Sequence, residues 1–454
     1  MNESWSFVID FLLISLLIGI ATVLKARIPF FKKWIVPTSM IAGFLGLLLG
    51  PEFLGWLKFD IDMLGELVYH LMGIGFIALS LKERQVNRKP AMLNSGMIIV
   101  STYLIQGIIG FSFFLFLVHF FYPQFFPGIG LLLPLGFGQG PGQAYSIGTQ
   151  WEELGAIGGG NIGLTIAGIG FLWATIIGII VMNLLIRKKK FTFHPKQQTA
   201  HEDIVETSAP DEIPLADAID KLTYQVALIG IIYFITYLTL HGLEIILTPL
   251  GTFGSTLAQL LIGFHFIIGS IYAMIFRTLL NKLKRREFKL EHEPNNFLLQ
   301  RISGFAFDYM ITASIAAISI YALQDYLLPI IVLTSLGGLV TIFFLVWVVP
   351  RLFPTDTLPN TLGFFGMATG TISTGLALVK AVDPEFQSNT TDNLVVGSAT
   401  AIMFGFPLLL LLNIPIVGFI ENNPMLYLYT LGGLILYFFV LMTVLHFRSK
   451  KIND

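Results

Sequence analysis

The amino-acid sequence predicts an all-α polytopic membrane protein whose two halves form an inverted repeat. Of its 454 residues, 55% are hydrophobic and only 12% are charged, about half the charged share of a soluble globular protein. Eleven apolar segments are long enough to cross a bilayer. Two further apolar segments contain too much Gly, Pro, Ser and Thr for a continuous helix, and each is expected to form a broken, re-entrant hairpin. The positive charges lie almost entirely on one side of this arrangement, which supports the number of crossings.

The predicted spans are mostly apolar runs of roughly 20 residues, the length that a helix needs to cross the hydrocarbon core. A secretory signal normally has Lys or Arg before its apolar run, and the first run here has none. We therefore expect it to remain as a permanent span. In order, the predicted spans are residues 5–24, 34–50, 62–81, 94–121, 156–186, 221–240, 255–276, 297–323, 327–349, 391–413 and 424–446.

The loop charges give the predicted orientation, because cytoplasmic loops retain Lys and Arg. With the N-terminus outside, 25 of the 27 Lys and Arg fall on the cytoplasmic side; Lys58 falls outside and Lys380 falls in a broken segment. A full crossing by either broken segment would remove this bias from every later loop. The sequence therefore predicts a multi-pass protein with its N-terminus outside and its C-terminus in the cytoplasm.

The same series of elements occurs on both sides of a polar stretch at residues 187–220. Each half has four crossings, one broken segment and one more crossing, and five crossings place the halves in opposite orientation. Broken elements that enter from opposite faces and meet near the midplane are typical of secondary transporters. The predicted parts are a first half at 1–190 with a first broken segment at 128–154, a cytoplasmic linker at 191–220, a second half at 221–420 with a second broken segment at 359–382, and an extra span with a cytoplasmic tail at 421–454.

The two broken segments carry the candidate substrate ligands. Both are rich in glycine and both restart a helix, whose first N–H groups and positive dipole end favour an anion. The alternative is that the glycines serve only close helix packing. The predicted substrate-binding residues are Gly138, Gln139, Gly140, Gly142, Tyr145, Ser146, Gly370, Ser373 and Thr374.

The candidate cation ligands are oxygen donors, because hydroxyl and carbonyl oxygens suit a hard cation such as Na⁺. Thr369 and Thr371 lie in the second broken segment, Asn161 follows the first closely, and Asp308 is an ionisable residue within a predicted span. For the hydroxyls the alternative is bonding to helix carbonyls, for Asn161 it is an interhelical hydrogen bond, and for Asp308 it is structural pairing or a role as a proton carrier.

Lys380 is the one basic residue that the predicted orientation places inside the protein. It lies seven to ten residues beyond the second predicted anion-binding helix start, roughly 10 to 15 Å along a helix. We therefore expect Lys380 to act on the substrate only indirectly.

Composition excludes several function classes. The formal net charge is −1, so nothing indicates a nucleic-acid partner, and the absence of cysteine excludes disulfides, thiolate metal sites and a cysteine nucleophile. The sequence contains no catalytic signature. We therefore expect that the protein is not an enzyme and that it needs no cofactor apart from Na⁺ as a coupling ion.

Four stretches resemble the bacterial glutamate:sodium symporter family over roughly residues 5 to 420. The stretches are VPTSMIAGFLGLLLG at 36–50, MGIGFIALSLKERQVNRK at 72–89, the glycine-rich run at 136–145 and GFFGMATGT at 363–371. Ala368, Thr369 and Thr371 match the family's Ala-Thr-x-Thr. Gln139 falls where the family has His, and Tyr145 where it has Trp. The extra span at 424–446 lies beyond the family's usual end.

The resemblance implies an elevator-type transporter in a bacterial inner or plasma membrane, which assembles as a homodimer and moves Na⁺ with an acidic amino acid. The leading hypothesis is therefore Na⁺-coupled symport of glutamate or a related small carboxylate. A proton-coupled or uncoupled carrier of another organic anion, with Asp308 as the proton site, is an alternative. A channel or structural membrane subunit is a second alternative, disfavoured by two opposed broken elements.

Overall fold

The computed structural model is all-helical over the part of the chain that it describes. Within that part no residue lies in a β-strand. The described residues are 3–28, 36–82, 90–187, 215–250, 254, 258, 261–263, 265–284, 293–319, 326–383 and 388–453. Most of the predicted linker 191–220 lies outside these residues.

The helices are numbered here in chain order. Between α4 and α5 the chain forms short 3₁₀ and π turns at Pro127–Leu131 and Leu135–Gln139, and a π turn at Trp173–Ile177 joins α6 to α7. The helices are α1 Glu3–Arg27, α2 Thr38–Leu49, α3 Ile61–Leu81, α4 Pro90–Phe120, α5 Pro141–Glu153, α6 Gly159–Leu172, α7 Gly178–Arg187, α8 Leu215–Leu247, α9 His265–Lys284, α10 Asn296–Ala316, α11 Leu327–Leu352, α12 Thr357–Ala368, α13 Ile372–Val382, α14 Thr390–Leu412, α15 Ile414–Ile420 and α16 Met425–Asn453.

Nine stretches of the described residues are helical, long and apolar enough to cross a membrane, so the chain is a multi-pass membrane protein. They correspond to nine of the eleven predicted spans, although the stretch near the predicted span 391–413 begins at Met403 and continues through α15. Residues 34 and 35 of the predicted span 34–50 lie outside the described part, and its described residues contain the single helix α2, whose 12 residues extend about 18 Å. The predicted span 297–323 contains α10, which is long enough but less apolar, since it includes Arg301 and Asp308.

The described helices fall into two compact units. Unit 1 comprises Met1–Val68, Asn87–His194 and Met310–Asp454, and unit 2 comprises Tyr69–Val86 and Pro195–Tyr309. In unit 1 the 31-residue helix α4 is central and packs along α11, α14 and α16. Small residues permit these close approaches; a Cβ on Gly397 of α14, for example, would lie 2.5 Å from Ser95 Cβ.

Unit 2 has a core of aliphatic side chains from the end of α3 and from α8, α9 and α10. Ile77, Ile229 and Leu299 are buried within it. Near this core, His265 Nε2 lies 3.0 Å from the Tyr69 carbonyl, and His70 Nδ1 lies 2.8 Å from the Tyr233 hydroxyl. These histidines therefore satisfy backbone and tyrosine partners across helices.

Candidate functional site

The first broken segment consists of irregular helical turns at 127–139 followed by α5 at Pro141–Glu153. The break occurs at Gly140, where φ is +98° and ψ is 174°, a conformation open essentially to glycine alone. Pro141 follows at the first helical position, where its missing N–H costs nothing. Backbone conformation therefore produces this tip.

The second broken segment consists of α12 and α13, separated by residues 369–371. Its break uses hydroxyl groups: Thr374 Oγ1 accepts the Thr371 N–H at 2.8 Å, and Thr371 Oγ1 accepts the Thr374 N–H at 3.4 Å. This reciprocal pair caps α13, and Thr374 Oγ1 also lies 2.7 Å from the Gly366 carbonyl oxygen. Side chains therefore produce the second tip.

The two broken segments begin at opposite ends of α11. Phe125, just before the first segment, stacks on Tyr326 at the start of α11, with ring centroids 4.0 Å apart. The second segment begins at Thr357, five residues beyond the last residue of α11, Leu352. Since α11 has 26 residues, its two ends lie roughly 39 Å apart.

Between those starting points, both segments reach the middle of α11. A Cβ on Gly337 would lie 2.6 Å from Leu133 of the first segment. At Thr341, one turn further, the hydroxyl accepts a 2.8 Å hydrogen bond from Gln106, which also binds the second segment. The two segments thus extend toward each other and end at one level of α11.

The tips come together at Gly170 on α6. A Cβ on Gly170 would lie 2.5 Å from the Thr369 carbonyl oxygen and 2.9 Å from Cδ1 of Phe137. Thr369 is the first residue of the second break, and Phe137 lies three residues before the first break at Gly140. Only a residue without a side chain allows both tips to approach α6 at this point.

One face of α4 holds both tips. The Tyr103 hydroxyl donates a 2.7 Å hydrogen bond to the Gly138 carbonyl of the first tip. One turn later, Gln106 Nε2 donates at 2.9 Å to the Ala368 carbonyl of the second tip. Both side chains are buried, and residues three apart lie on the same helix face. Tyr103 and Gln106 therefore fix the two tips to a single element.

Two helix N-termini begin at these tips, and their first-turn N–H groups have no acceptor within their own helix. In α5, the Ala144 N–H reaches the Gly140 carbonyl, which leaves the amides of Gly142 and Gln143. In α13, the capping pair serves Thr374, which leaves the amides of Ile372 and Ser373. Among the described residues, the N–H groups left at the start of each helix are therefore its first two.

Some predicted cation ligands lie at the tips. Thr369 is fully buried and its hydroxyl donates at 2.8 Å to the Phe365 carbonyl, while Thr371 is half-buried and caps α13. Both hydroxyl oxygens therefore serve the local structure, and each keeps a lone pair for a cation. In the part of the chain that the structure describes, Gln106 Oε1 and Gln143 Oε1 are buried and accept no hydrogen bond.

Other predicted cation ligands lie elsewhere. Asn161 is half-buried and precedes Gly170 by nine residues on α6, roughly 13 Å along the helix. Asp308 belongs to unit 2, where its side chain is exposed on α10.

The predicted substrate-binding residues are also distributed. Gln139 is half-buried at the first tip, Gly370 is buried at the second, and the Ser373 side chain lies outside the described part. Ser146 is buried on α5. Tyr145 is half-buried on α5, and its ring lies against the start of α6. A Cβ on Gly160, ten residues before Gly170, would lie 3.2 Å from Tyr145 Cε2.

Glycine packing explains part of the glycine content. Gly366 and Gly375 allow α12 and α13 to cross, since a Cβ on Gly366 would lie 2.9 Å from the Gly375 Cα. Gly148 and Gly159 do the same for α5 and α6. At Gly140, by contrast, a Cβ would meet no atom within 4 Å, so this glycine is required by its backbone conformation.

Sequence reasoning missed Tyr103 and Gln106. A glutamine in the middle of a long apolar run was the available signal, because such residues usually bond across helices. Its two partners, Thr341 and Ala368, are more than 230 residues away in the chain, so sequence could not identify them.

Compared with known proteins, the chain matches no family model and no curated protein sequence. The resemblance to the glutamate:sodium symporters therefore depends on the motifs quoted above.

Proposed function

We propose that this protein is a secondary active transporter that couples the uptake of glutamate or a related small carboxylate to Na⁺. The observation that carries the proposal is the meeting of two broken segments at Gly170, after they start from opposite ends of α11. Broken helices within a membrane protein are tolerated where they face protein or a solute cavity. Their free ends can then replace the hydration of a solute.

The carboxylate half of the proposed site consists of the two helix N-termini. The amides of Gly142 and Gln143 on α5 and of Ile372 and Ser373 on α13 supply donors, and each dipole adds about half a positive charge. Gln139 lies beside the first of these ends, and Thr374 orders the second. A desolvated carboxylate requires such donors or a fixed charge.

The cation half uses oxygen atoms. Thr369 and Thr371 contribute hydroxyl and carbonyl oxygens at the second tip, and the buried Gln106 Oε1 adds an acceptor without a donor. A hard cation, or the amino group of an amino-acid substrate, would satisfy Gln106 Oε1. These ligands are neutral oxygen atoms, and none of them is a carboxylate that could carry a proton. They therefore favour Na⁺ over a proton as the coupling ion at the tips.

The proposal extends to architecture. We propose two inverted halves, a homodimer and an elevator-type movement, as the family resemblance implies, in a bacterial inner or plasma membrane with the N-terminus outside. The opposed broken segments support inverted halves, since each half contributes one segment. No enzymatic activity belongs to the proposal.

The test is uptake into proteoliposomes with a panel of labelled amino acids and dicarboxylates, with and without a Na⁺ gradient. We expect glutamate or a close relative to accumulate only when Na⁺ is higher outside. Ser101→Ala is the matched control for variants of Tyr103 and Gln106, because Ser101 is buried on the same helix. Failure of every carboxylate to accumulate under any gradient would reject the proposal.

A further inference from the structure

An apolar groove runs between α11 and the extra C-terminal helix α16 in unit 1. It contains two cavities, of about 430 and 320 Å³, which adjoin because Trp347 and Met442 line both. The larger cavity is otherwise lined by aliphatic and aromatic side chains, among them Phe343 and Phe439. Trp347 is 50% exposed and Phe343 71% exposed, so the groove is open along its length.

The second cavity is polar at one end. Arg351, His446 and Ser449 line it, close to the C-terminal ends of α11 and α16. Among the residues that the structure describes, no Asp or Glu lines either cavity. The described lining therefore has a long apolar part and a short part whose charge is positive.

Arg351 is oriented at this polar end. Its guanidinium lies 4.4 Å from the centroid of the Trp347 ring, and its Nη1 donates to the Trp347 carbonyl oxygen. A guanidinium has five N–H donors, so most of them remain for an external anion. Nearby on α16, Arg448 donates from Nε to Asn94 Oδ1 of α4, and Lys450 is exposed.

We propose that this groove binds one anionic phospholipid, with an acyl chain along Phe343, Trp347 and Phe439 and the phosphate at Arg351. Charge complementarity identifies the occupant, since an amphiphile with one anionic end matches an apolar groove that ends in basic groups. The extra span at 424–446 has no role that its amino-acid sequence alone indicates. Because α16 supplies one wall of the groove, the proposal gives that span the role of lipid binding against α11.

Native mass spectrometry of the full-length protein tests this. The protein is extracted from nanodiscs that contain phosphatidylglycerol and phosphatidylcholine with identical acyl chains. We expect retained lipid to be phosphatidylglycerol, and Arg351→Gln to reduce its retention about fivefold, the equivalent of roughly 1 kcal/mol for one basic residue. Arg351 is exposed, so the variant is expected to fold.

The control is Lys282→Gln, which removes another exposed basic residue near the end of a helix in unit 2. We expect it to retain lipid like the wild type. Equal retention of both lipids, equal losses in the two variants, or undiminished phosphatidylglycerol in Arg351→Gln would each overturn the proposal. A dimer without lipid that dissociates in Arg351→Gln would assign the groove to a second copy and also overturn it.

Discussion

The two broken segments reach the same point by different means. In the first, the helix breaks at Gly140, which has a positive φ, and Gly138 leaves room for the Tyr103 ring. In the second, none of residues 369–371 has a positive φ, and the Thr371–Thr374 pair caps the restarting helix. The first tip therefore depends on missing side chains and the second on hydroxyl groups. Substitutions that add a methyl group should therefore affect the first tip, and substitutions that remove a hydroxyl should affect the second.

The largest effect is expected for Gly138→Ala. A Cβ at this position would lie 2.0 Å from Cε1 of Tyr103, so the tip or the ring must move. A displacement of about 1 Å at a reaction site can lower a rate about 100-fold, and we expect a loss of that order in initial uptake. Gly107→Ala is the control, because its Cβ would have no contact closer than 3.7 Å. Wild-type uptake by Gly138→Ala would show that the first tip does not depend on this contact.

The next-largest effects are expected at Tyr103 and Gln106, the two α4 side chains that bind the tips. Gln106→Leu removes two hydrogen bonds and a proposed cation ligand, whereas Tyr103→Phe removes one hydrogen bond. At about 1 kcal/mol for each bond, we expect losses in uptake of roughly 30-fold and fivefold. Only Gln106→Leu should also raise the half-saturating Na⁺ concentration, which uptake at varied Na⁺ measures. An equal rise in both variants would place the cation site elsewhere.

A smaller effect is expected for Thr371→Val, which keeps the side-chain shape and removes the hydroxyl. Loss of the cap should cost about 1 kcal/mol of stability, and loss of a ligand should raise the half-saturating Na⁺ concentration severalfold. Thr361→Val is matched to it, since Thr361 is a buried α12 threonine bonded only to its own helix. The assignment fails if the Na⁺ dependence of Thr371→Val equals that of Thr361→Val.

The smallest effect is expected for Lys380→Gln. Lys380 is exposed in the last turn of α13, eight residues after its first residue, or roughly 12 Å along the helix. We expect substrate affinity to change less than about tenfold, because exposed charges at that distance interact weakly. A loss well beyond tenfold, with folding and dimer formation intact, would make Lys380 a direct carboxylate ligand.

The sequence was sufficient for the elements that depend on local composition. Long apolar runs predicted most of the spans, and the Gly, Pro, Ser and Thr content predicted that 128–154 and 359–382 are broken. The structure places the breaks at Gly140 and at residues 369–371. It was insufficient where distant segments meet. The contacts of Gly170 with both tips, and the hydrogen bonds from Tyr103 and Gln106 to the tips, can be seen only in the three-dimensional packing. The short helix α2 shows the same limit, since apolar composition alone extended it to a full span.

Substrate protection of a cysteine at the first tip tests whether the substrate binds between the two tips. The chain has no cysteine, so Gln139→Cys introduces a single thiol at a half-buried tip position. Ile157→Cys is the control, because Ile157 is 79% exposed outside both tips. We expect Na⁺ together with the transported carboxylate to slow thiol labelling at residue 139 severalfold and to leave labelling at residue 157 unchanged. Labelling at residue 139 that is the same with and without substrate, in protein that transports, would contradict a substrate site between the two tips.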